Sequence, residues 1–256
     1  GDLEIPIPEV AEVGMREQRY LEEIAGTCEE LATLVRDALA AGRLPLTIGG
    51  DHSLSIGTIA GLAMHLQPAE KTFGLIWIDA HGDLNTPDTT PSGNIHGMPV
   101  AVSLGLGDAR LTRIGGFSPK VAPDRVALIG VRALDAGERK LIQELGVEVF
   151  SMRDVDADGI SSVMDEALRI ATRGTAGFHL SFDMDAIDPN FAPGVGTRVR
   201  GGLDYREAHL ALEVASDTDL LLSADLVEVN PILDNQNSTA ALAVELVESL
   251  LGKSIL

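Results

Sequence analysis

Cysteine and basic residues are both scarce in this chain, and each shortage removes a class of function. One cysteine, Cys28, in 256 residues excludes an intramolecular disulfide and fits a reducing compartment. It falls in a helical-looking stretch, Leu21 to Ala41, where packing or surface exposure explains a cysteine better than catalysis does. Lysine and arginine number 19 against 39 acidic residues, a formal net charge of −20 at pH 7. Nucleic acids and anionic membranes both demand basic patches, so neither is an expected partner. The acidic excess suits a cationic substrate or a divalent metal, and a solubility surface also carries such a charge. No window approaches the roughly 20 apolar residues of a membrane span. The opening Gly1-Asp2-Leu3-Glu4 has no basic n-region, which makes the cytoplasm the expected location.

What is present reads as one α/β domain. Hydrophobic residues make up 45% and charged residues 23%, an ordinary globular balance in a chain long enough to bury a full core. Residues 1–14 read as an irregular lead-in, and the spacing of Leu21, Ile24, Leu31, Leu34, Val35 and Leu39 predicts a helix from about Arg16 to Ala41. Strand candidates follow at Leu44–Ile48, Phe73–Ile78, Val126–Ile129, Val147–Phe150, Phe178–Phe182 and Leu220–Val229. Helical patterns lie between them: Ser53, as N-cap, to Leu66, Met98–Leu104, Gly137–Leu145, Ser161–Thr172 and Asp204–Val214, with a closing helix at Ser238–Leu251. Strand–helix alternation without repeat or linker predicts a parallel sheet.

Four strand ends carry residues that bind metals. The central one is Asp79-Ala80-His81-Gly82-Asp83-Leu84-Asn85, where an extended backbone points Asp79, His81 and Asp83 the same way. The others are Gly49-Gly50-Asp51-His52-Ser53, Asp183-Met184-Asp185-Ala186-Ile187-Asp188-Pro189 and Glu228-Val229-Asn230-Pro231. α/β proteins keep their chemistry past the carboxyl ends of their strands. So many carboxylates around two imidazoles would repel and desolvate badly without a cation. Oxygen-rich ligation without thiolate favours a hard or borderline ion such as Mn²⁺ over structural Zn²⁺. Two ions bridged by carboxylates would lower the pKa of a shared water; the residues alone do not count them.

In order and spacing, from about Pro45 to the C-terminus, these motifs resemble the ureohydrolases, the family of arginases and agmatinases. The loop Asn85-Thr86-Pro87-Asp88-Thr89-Thr90-Pro91-Ser92-Gly93-Asn94-Ile95-His96-Gly97 and the run Pro193–Thr197 are similar to arginases, bacterial ones most of all. The resemblance implies one Mn²⁺ on His52, Asp79, Asp83 and Asp183, and a second on His81 and Asp185 with Asp79 and Asp183 bridging. It implies a bridging hydroxide that attacks the guanidinium carbon of L-arginine, giving L-ornithine and urea. Asp188 would orient the metal site from behind. His96 would be the proton shuttle, a role that suits an imidazole, though alone it reads equally as a polar loop residue. Glu228 would pair with the planar guanidinium, its plainer reading being a strand-end salt bridge.

Neutral donors on Asn85, Thr90, Ser92 and Asn94 match the positions that the resemblance assigns to the substrate carboxylate, with Thr197 also at the site. Asp135, helped by Glu138, would take the substrate ammonium; the pair reads equally as a helix cap and first-turn acid. His65, His179 and His209 are read as structural. Two residues depart from the family pattern: Ala133 stands where many arginases carry an acid, and Arg198 where proline is usual. Family members also begin with a further strand and Gly-rich segment, roughly forty residues by domain-size arithmetic, which is expected to be absent here.

The expectation is a single ureohydrolase domain over 1–256, a mainly parallel sheet of about eight strands sandwiched by helices, forming a homotrimer or homohexamer. Agmatinase or another guanidino-acid hydrolase is the nearest rival. A silent metal-binding homologue and a single-Zn²⁺ amide hydrolase of related fold are the others.

Overall fold

Alternation along the strands sets two faces before any helix is placed. In Gly74–Ile78, Leu75 and Trp77 face one way and Ile76 and Ile78 the other, and all four are fully buried. A strand buried on both faces belongs inside a sheet covered by helices on both sides. The structure, a computed structural model, describes residues 1–3 and 14–253; most of the lead-in expected over 1–14 lies outside the described residues.

The first two strands, β1 (Gly14–Met15) and β2 (Gln18–Arg19), form an antiparallel pair of their own. The main sheet contains β3 (Leu46–Ile48), β4 (Gly74–Ile78), β5 (Val126–Val131), β6 (Glu148–Ser151), β7 (Phe178–Asp183) and β8 (Leu221–Val227). Its order is β3-β8-β7-β4-β5-β6, parallel throughout. Among the described residues the sheet therefore has six strands, which corrects the expected eight. Each of the six strand candidates in the sequence supplies one, and β1 and β2 pair only with each other.

The helices are α1 (Leu21–Ala40), α2 (Ser55–Leu66), α3 (Pro99–Ser103), α4 (Ala109–Thr112), α5 (Ala136–Leu145), α6 (Met152–Asp158), α7 (Ile160–Thr172), α8 (Tyr205–Ser216) and α9 (Ser238–Leu250). α7, α8 and α9 cover the face carrying Ile76, Ile78, Phe178 and Phe182. α2 and α3 cover the face carrying Leu75, Trp77 and Leu128, and α1 packs outside α2. That last approach requires glycine: a Cβ on Gly61 would lie 2.5 Å from the Ala32 carbonyl oxygen. Cys28 sits in this seam, its thiol pushed up to about 12 chiefly by burial, so it is an inert packing residue.

Two boundaries differ from the expectation for physical reasons. α1 starts at Leu21 rather than Arg16 because Tyr20 is left-handed (φ 58°) and the Arg19 amide is tied to the Gly93 carbonyl. α2 is preceded by a 3₁₀ turn, His52–Leu54, whose N-cap is Asp51 rather than Ser53. α6 was not anticipated, although Ser151 and Asp154 form a capping box that the sequence displays.

The strand order places the crevice. From β4 the sheet runs through β5 to β6 on one side and through β7 to β8 on the other, so the carboxyl ends of β4 and β7 flank a topological switch point. The register opposes Ile78 with Phe182, which sets the next residues, Asp79 and Asp183, side by side. Phe178, fully buried between β7 and the helices, tests the packing. Phe178→Ala is expected to cost about 3–5 kcal/mol, read as a lower denaturant midpoint at unchanged slope.

Candidate active site

Two imidazoles and four aspartates meet just above that switch point. His52 Nδ1 lies 3.1 Å from Asp79 Oδ2, 3.2 Å from Asp83 Oδ2 and 3.1 Å from Asp183 Oδ2. A single ring nitrogen can donate to one of these oxygens, so three converging acceptors exceed what His52 can satisfy. His81 Nδ1 sits 3.3 Å from Asp79 Oδ1 and 3.1 Å from Asp185 Oδ2. Two clusters with metal-ligand geometry result, His52–Asp79–Asp183 and Asp79–His81–Asp185. Asp79 belongs to both, one oxygen to each; Asp183 belongs by distance to the first. The donor set, two imidazoles with carboxylates and no thiolate, fits hard or borderline divalent cations.

The protein holds these side chains from behind. The Trp77 indole N–H donates to Asp79 Oδ2 at 3.0 Å, and its ring stacks on His52 at 3.9 Å between centroids. His52 Nε2 lies 2.7 Å from Ser181 Oγ, which in turn donates to Asp225 Oδ1. Asp225 Oδ2 lies 3.0 Å from His179 Nε2, and His179 Nδ1 lies 2.9 Å from Ser223 Oγ. This engaged Nε2 leaves Nδ1 facing the carboxylates. His179 is structural as expected, while Trp77, Ser181 and Asp225 escaped the sequence reading. Their one signal was a polar residue at alternate positions of strands otherwise apolar.

Burial and like charge dominate the electrostatics. Burial raises Asp83 and the neighbouring Asp79 charge raises it further, to about 7. Asp183 is raised well above the usual carboxylate range by burial and by Asp185 and Asp79. Burial opposes a charge on His81, but Asp185 and Asp79 outweigh it and push the imidazole up to about 12. His52 is likewise raised well above its ordinary value, against burial, by its three carboxylates. Without a cation the cluster therefore retains protons on its imidazoles and on some carboxyls.

Above the cluster lies a cleft. One wall holds Glu228 and His96: Glu228 Oε1 accepts the His52 backbone N–H at 3.0 Å and lies 3.1 Å from His96 Nδ1. Glu228 pushes His96 up to about 9. Asn85, Thr90, Ser92, Asp135, Glu138 and Thr197 also line it. Asn85 Nδ2 donates to Asp135 Oδ2 at 2.9 Å, which joins the 85–94 loop to the start of α5. Thr90 and Ser92 accept the Gly93 and Asn94 amides, leaving each O–H hydrogen available as a donor toward the cleft.

Not every expected residue is placed there. Asn94 lies outside the cleft lining. Asp188 accepts the Asn190 and Gly201 amides at 2.9 and 2.7 Å and so shapes a loop. Both Glu138 oxygens are engaged by backbone amides, of Leu84 at 3.1 Å and Asp135 at 2.8 Å, in the alternative capping role. Thr197 donates to Asp185 Oδ2 at 2.8 Å. Arg198 is exposed on the rim, donates to the Leu233 carbonyl and does not line the cleft.

Buried paired carboxylates and imidazoles beneath a cleft with a Glu–His wall define a metallohydrolase-type site. The comparisons give the family. Residues 1–252 match the model of the arginase family, and the chain belongs to that family. It is 54% identical over 238 residues to the arginase of Brevibacillus brevis, covering 93% of this chain and 78% of the relative. The crystal structure of the Bacillus subtilis arginase superposes with a TM-score of 0.92 at 49% identity, covering 100% of this chain and 85% of that one. An Entamoeba histolytica arginase solved in complex with L-ornithine gives a TM-score of 0.87 at 36% identity, covering 94% and 81%.

Because a divalent cation requires both imidazoles neutral and the carboxyls ionised, loading must release protons. Adding Mn²⁺ to the metal-free protein in weakly buffered solution is expected to acidify it, and apparent affinity should rise with pH. A pH-independent affinity with no proton release would contradict this charge assignment.

Proposed function

We propose that the chain hydrolyses L-arginine to L-ornithine and urea at a site holding two Mn²⁺ ions. The observation that carries this reading is the pair of ligand clusters sharing Asp79 beneath the Glu228–His96 wall. His52, Asp79, Asp83 and Asp183 would hold one ion; His81 and Asp185, with Asp79 and Asp183, would hold the other. When bound, the pair supplies Lewis acidity that brings the ionisation of a water toward neutral pH.

The chain's own groups do the rest. Glu228 accepts N–H groups of the planar guanidinium and fixes its orientation over the cluster. In doing so the substrate competes with His96 for Glu228, so His96 holds its proton less tightly once the site is filled. That suits it to protonate the departing amine. Hydroxyls of Thr90 and Ser92, with the side-chain amide of Asn85, would receive the α-carboxylate; Asn94, outside the lining, is left without that role. Asp135 takes the α-ammonium, while Glu138 keeps the 84–85 segment and α5 together. Thr197 holds the Asp185 carboxylate, and Asp188 orders the loop that bears Thr197. L-ornithine in the Entamoeba histolytica relative supports a substrate with an α-amino acid end.

A cytoplasmic location is supported by the lone, buried Cys28, and no helix among the described residues is long and apolar enough to cross a membrane. A homotrimer or homohexamer rests on the family resemblance alone.

Urea release from L-arginine and from agmatine, with metal content measured on the same Mn²⁺-treated sample, tests the reading. Urea from arginine with two metals per chain is expected. Urea from agmatine instead would overturn the assignment of the 85–94 loop; bound metal without urea would identify a silent homologue. His96→Asn should keep both metals while turnover falls by roughly 10²–10⁴-fold, the usual loss for a proton-transfer group. Asp183→Asn should lower metal content and activity together, and full activity would remove Asp183 from the ligand set.

A further inference from the structure

Arg132 makes contacts unlike those of a typical arginine. It follows a bulge at Gly130 (φ 85°), where β5 loses register with β6. Its guanidinium donates to four backbone carbonyls and to no carboxylate. Nη1 reaches Gly130 O at 3.2 Å and Ala186 O at 3.1 Å; Nη2 reaches Asp185 O at 2.7 Å and Val199 O at 2.8 Å. The Arg132 and Ala133 amides both donate to Ala80 O, at 2.9 and 3.0 Å, between Asp79 and His81. One residue thus ties together the His81 turn, the Asp185 turn and the rim segment whose Thr197 grips the Asp185 carboxylate. The guanidinium is closely approached at Gly202, where a Cβ would lie 2.5 Å from Nη2. None of the four side-chain contacts reaches the segments carrying His52 or Asp83.

We propose that Arg132 is a positioning residue for the His81–Asp185 half of the site, holding that half in metal-binding geometry while leaving the His52–Asp83 half to other supports. This rests on the two-ion reading above. Geometry and charge make opposite predictions here, which exposes the role to test. A fixed positive charge beside a cation site disfavours the cation, so removing it should tighten metal binding if charge were what mattered. If position matters, removing the fork releases Asp185 and Thr197, and binding weakens. Lysine keeps the charge but offers three donors from one point, too few and wrongly spread for four carbonyls.

The experiment titrates metal-free parent, Arg132→Met and Arg132→Lys with Mn²⁺, following free Mn²⁺ by electron paramagnetic resonance; thermal unfolding is recorded alongside. The parent should bind two ions. Arg132→Met should keep one at parental affinity and weaken the other by about 10–100-fold, the usual loss for a group supporting a ligand; Arg132→Lys should fall between. His81→Asn should retain only the His52-side ion, and adding Arg132→Met to it should change nothing further. Arg198→Ala, which removes a charge from the same rim, should bind as the parent does. Equal weakening of both ions, or unchanged or tighter binding in both Arg132 variants, overturns the proposal. Should Arg132→Met not fold, Arg132→Lys decides by the same criteria. A parent that binds fewer than two ions overturns the two-ion reading and this inference with it.

Discussion

Asp79, Asp83, Asp183 and Asp185 lie within a few ångströms of two imidazole nitrogens and are almost wholly withdrawn from water. Each carboxylate there loses hydration and gains a like-charged neighbour, costs that ordinary hydrogen bonds do not offset. Two imidazolium protons can relieve part of this, and divalent cations relieve it far better because each can meet three or four oxygens at once. The site is therefore a frustrated arrangement that a bound cation would satisfy. Its surroundings are built to prevent the cluster from relaxing in any other way.

That resistance comes from the sheet. Parallel register, not loop conformation, sets Asp79 beside Asp183, and β4 and β7 are the two innermost strands. On the α2-facing side, β7 and β8 present matched polar residues, His179 opposite Ser223 and Ser181 opposite Asp225. These join into a buried network ending on His52. A network in which every member is satisfied rigidifies its neighbourhood, and this one fixes which nitrogen of His52 faces the carboxylates. Strain appears where rigidity must yield to aim: Asp83 (φ 49°) and Glu228 (φ 66°) adopt left-handed backbone although neither is glycine. Both reach into the cleft from strand ends, and such conformations persist only where the surrounding structure overdetermines them.

The same features explain what could be read from the sequence. Six apolar runs each form a strand. The inner strands, such as β4, β5 and β7, are buried on both faces and advertise themselves by composition, while the edge strands β3 and β6 are partly exposed. The ligand residues were legible because they cluster immediately after those runs. The support behind them was not, since Phe178-His179-Leu180-Ser181-Phe182 alternates like a strand with one wet face, yet both faces are buried. Only three-dimensional pairing with Ser223 and Asp225 reveals why polar residues are tolerated there. Tyr20 hid the start of α1 for a similar reason, as nothing local announces a left-handed tyrosine. Asp188 and Glu138 carried motif positions that suggested chemistry, and their carboxylates are taken by backbone amides instead.

A division of labour follows from where each group is anchored. Residues suited to the reaction, His52 and the four aspartates, stand at strand ends or are held by buried partners. Residues suited to choosing the substrate, Thr90 and Ser92 above all, sit on a loop that is held by its own short hydrogen bonds and by the Asn85–Asp135 link. A loop of that kind can change its donors without disturbing the cluster below, because no strand register depends on it. Between the two lies Glu228, held by the His52 amide yet lining the cleft beside His96, and in the proposed function it is the group through which substrate binding would reach His96. Under the proposed reading, coupling the guanidinium to the proton donor through one shared carboxylate would link recognition to proton delivery without any movement of the backbone.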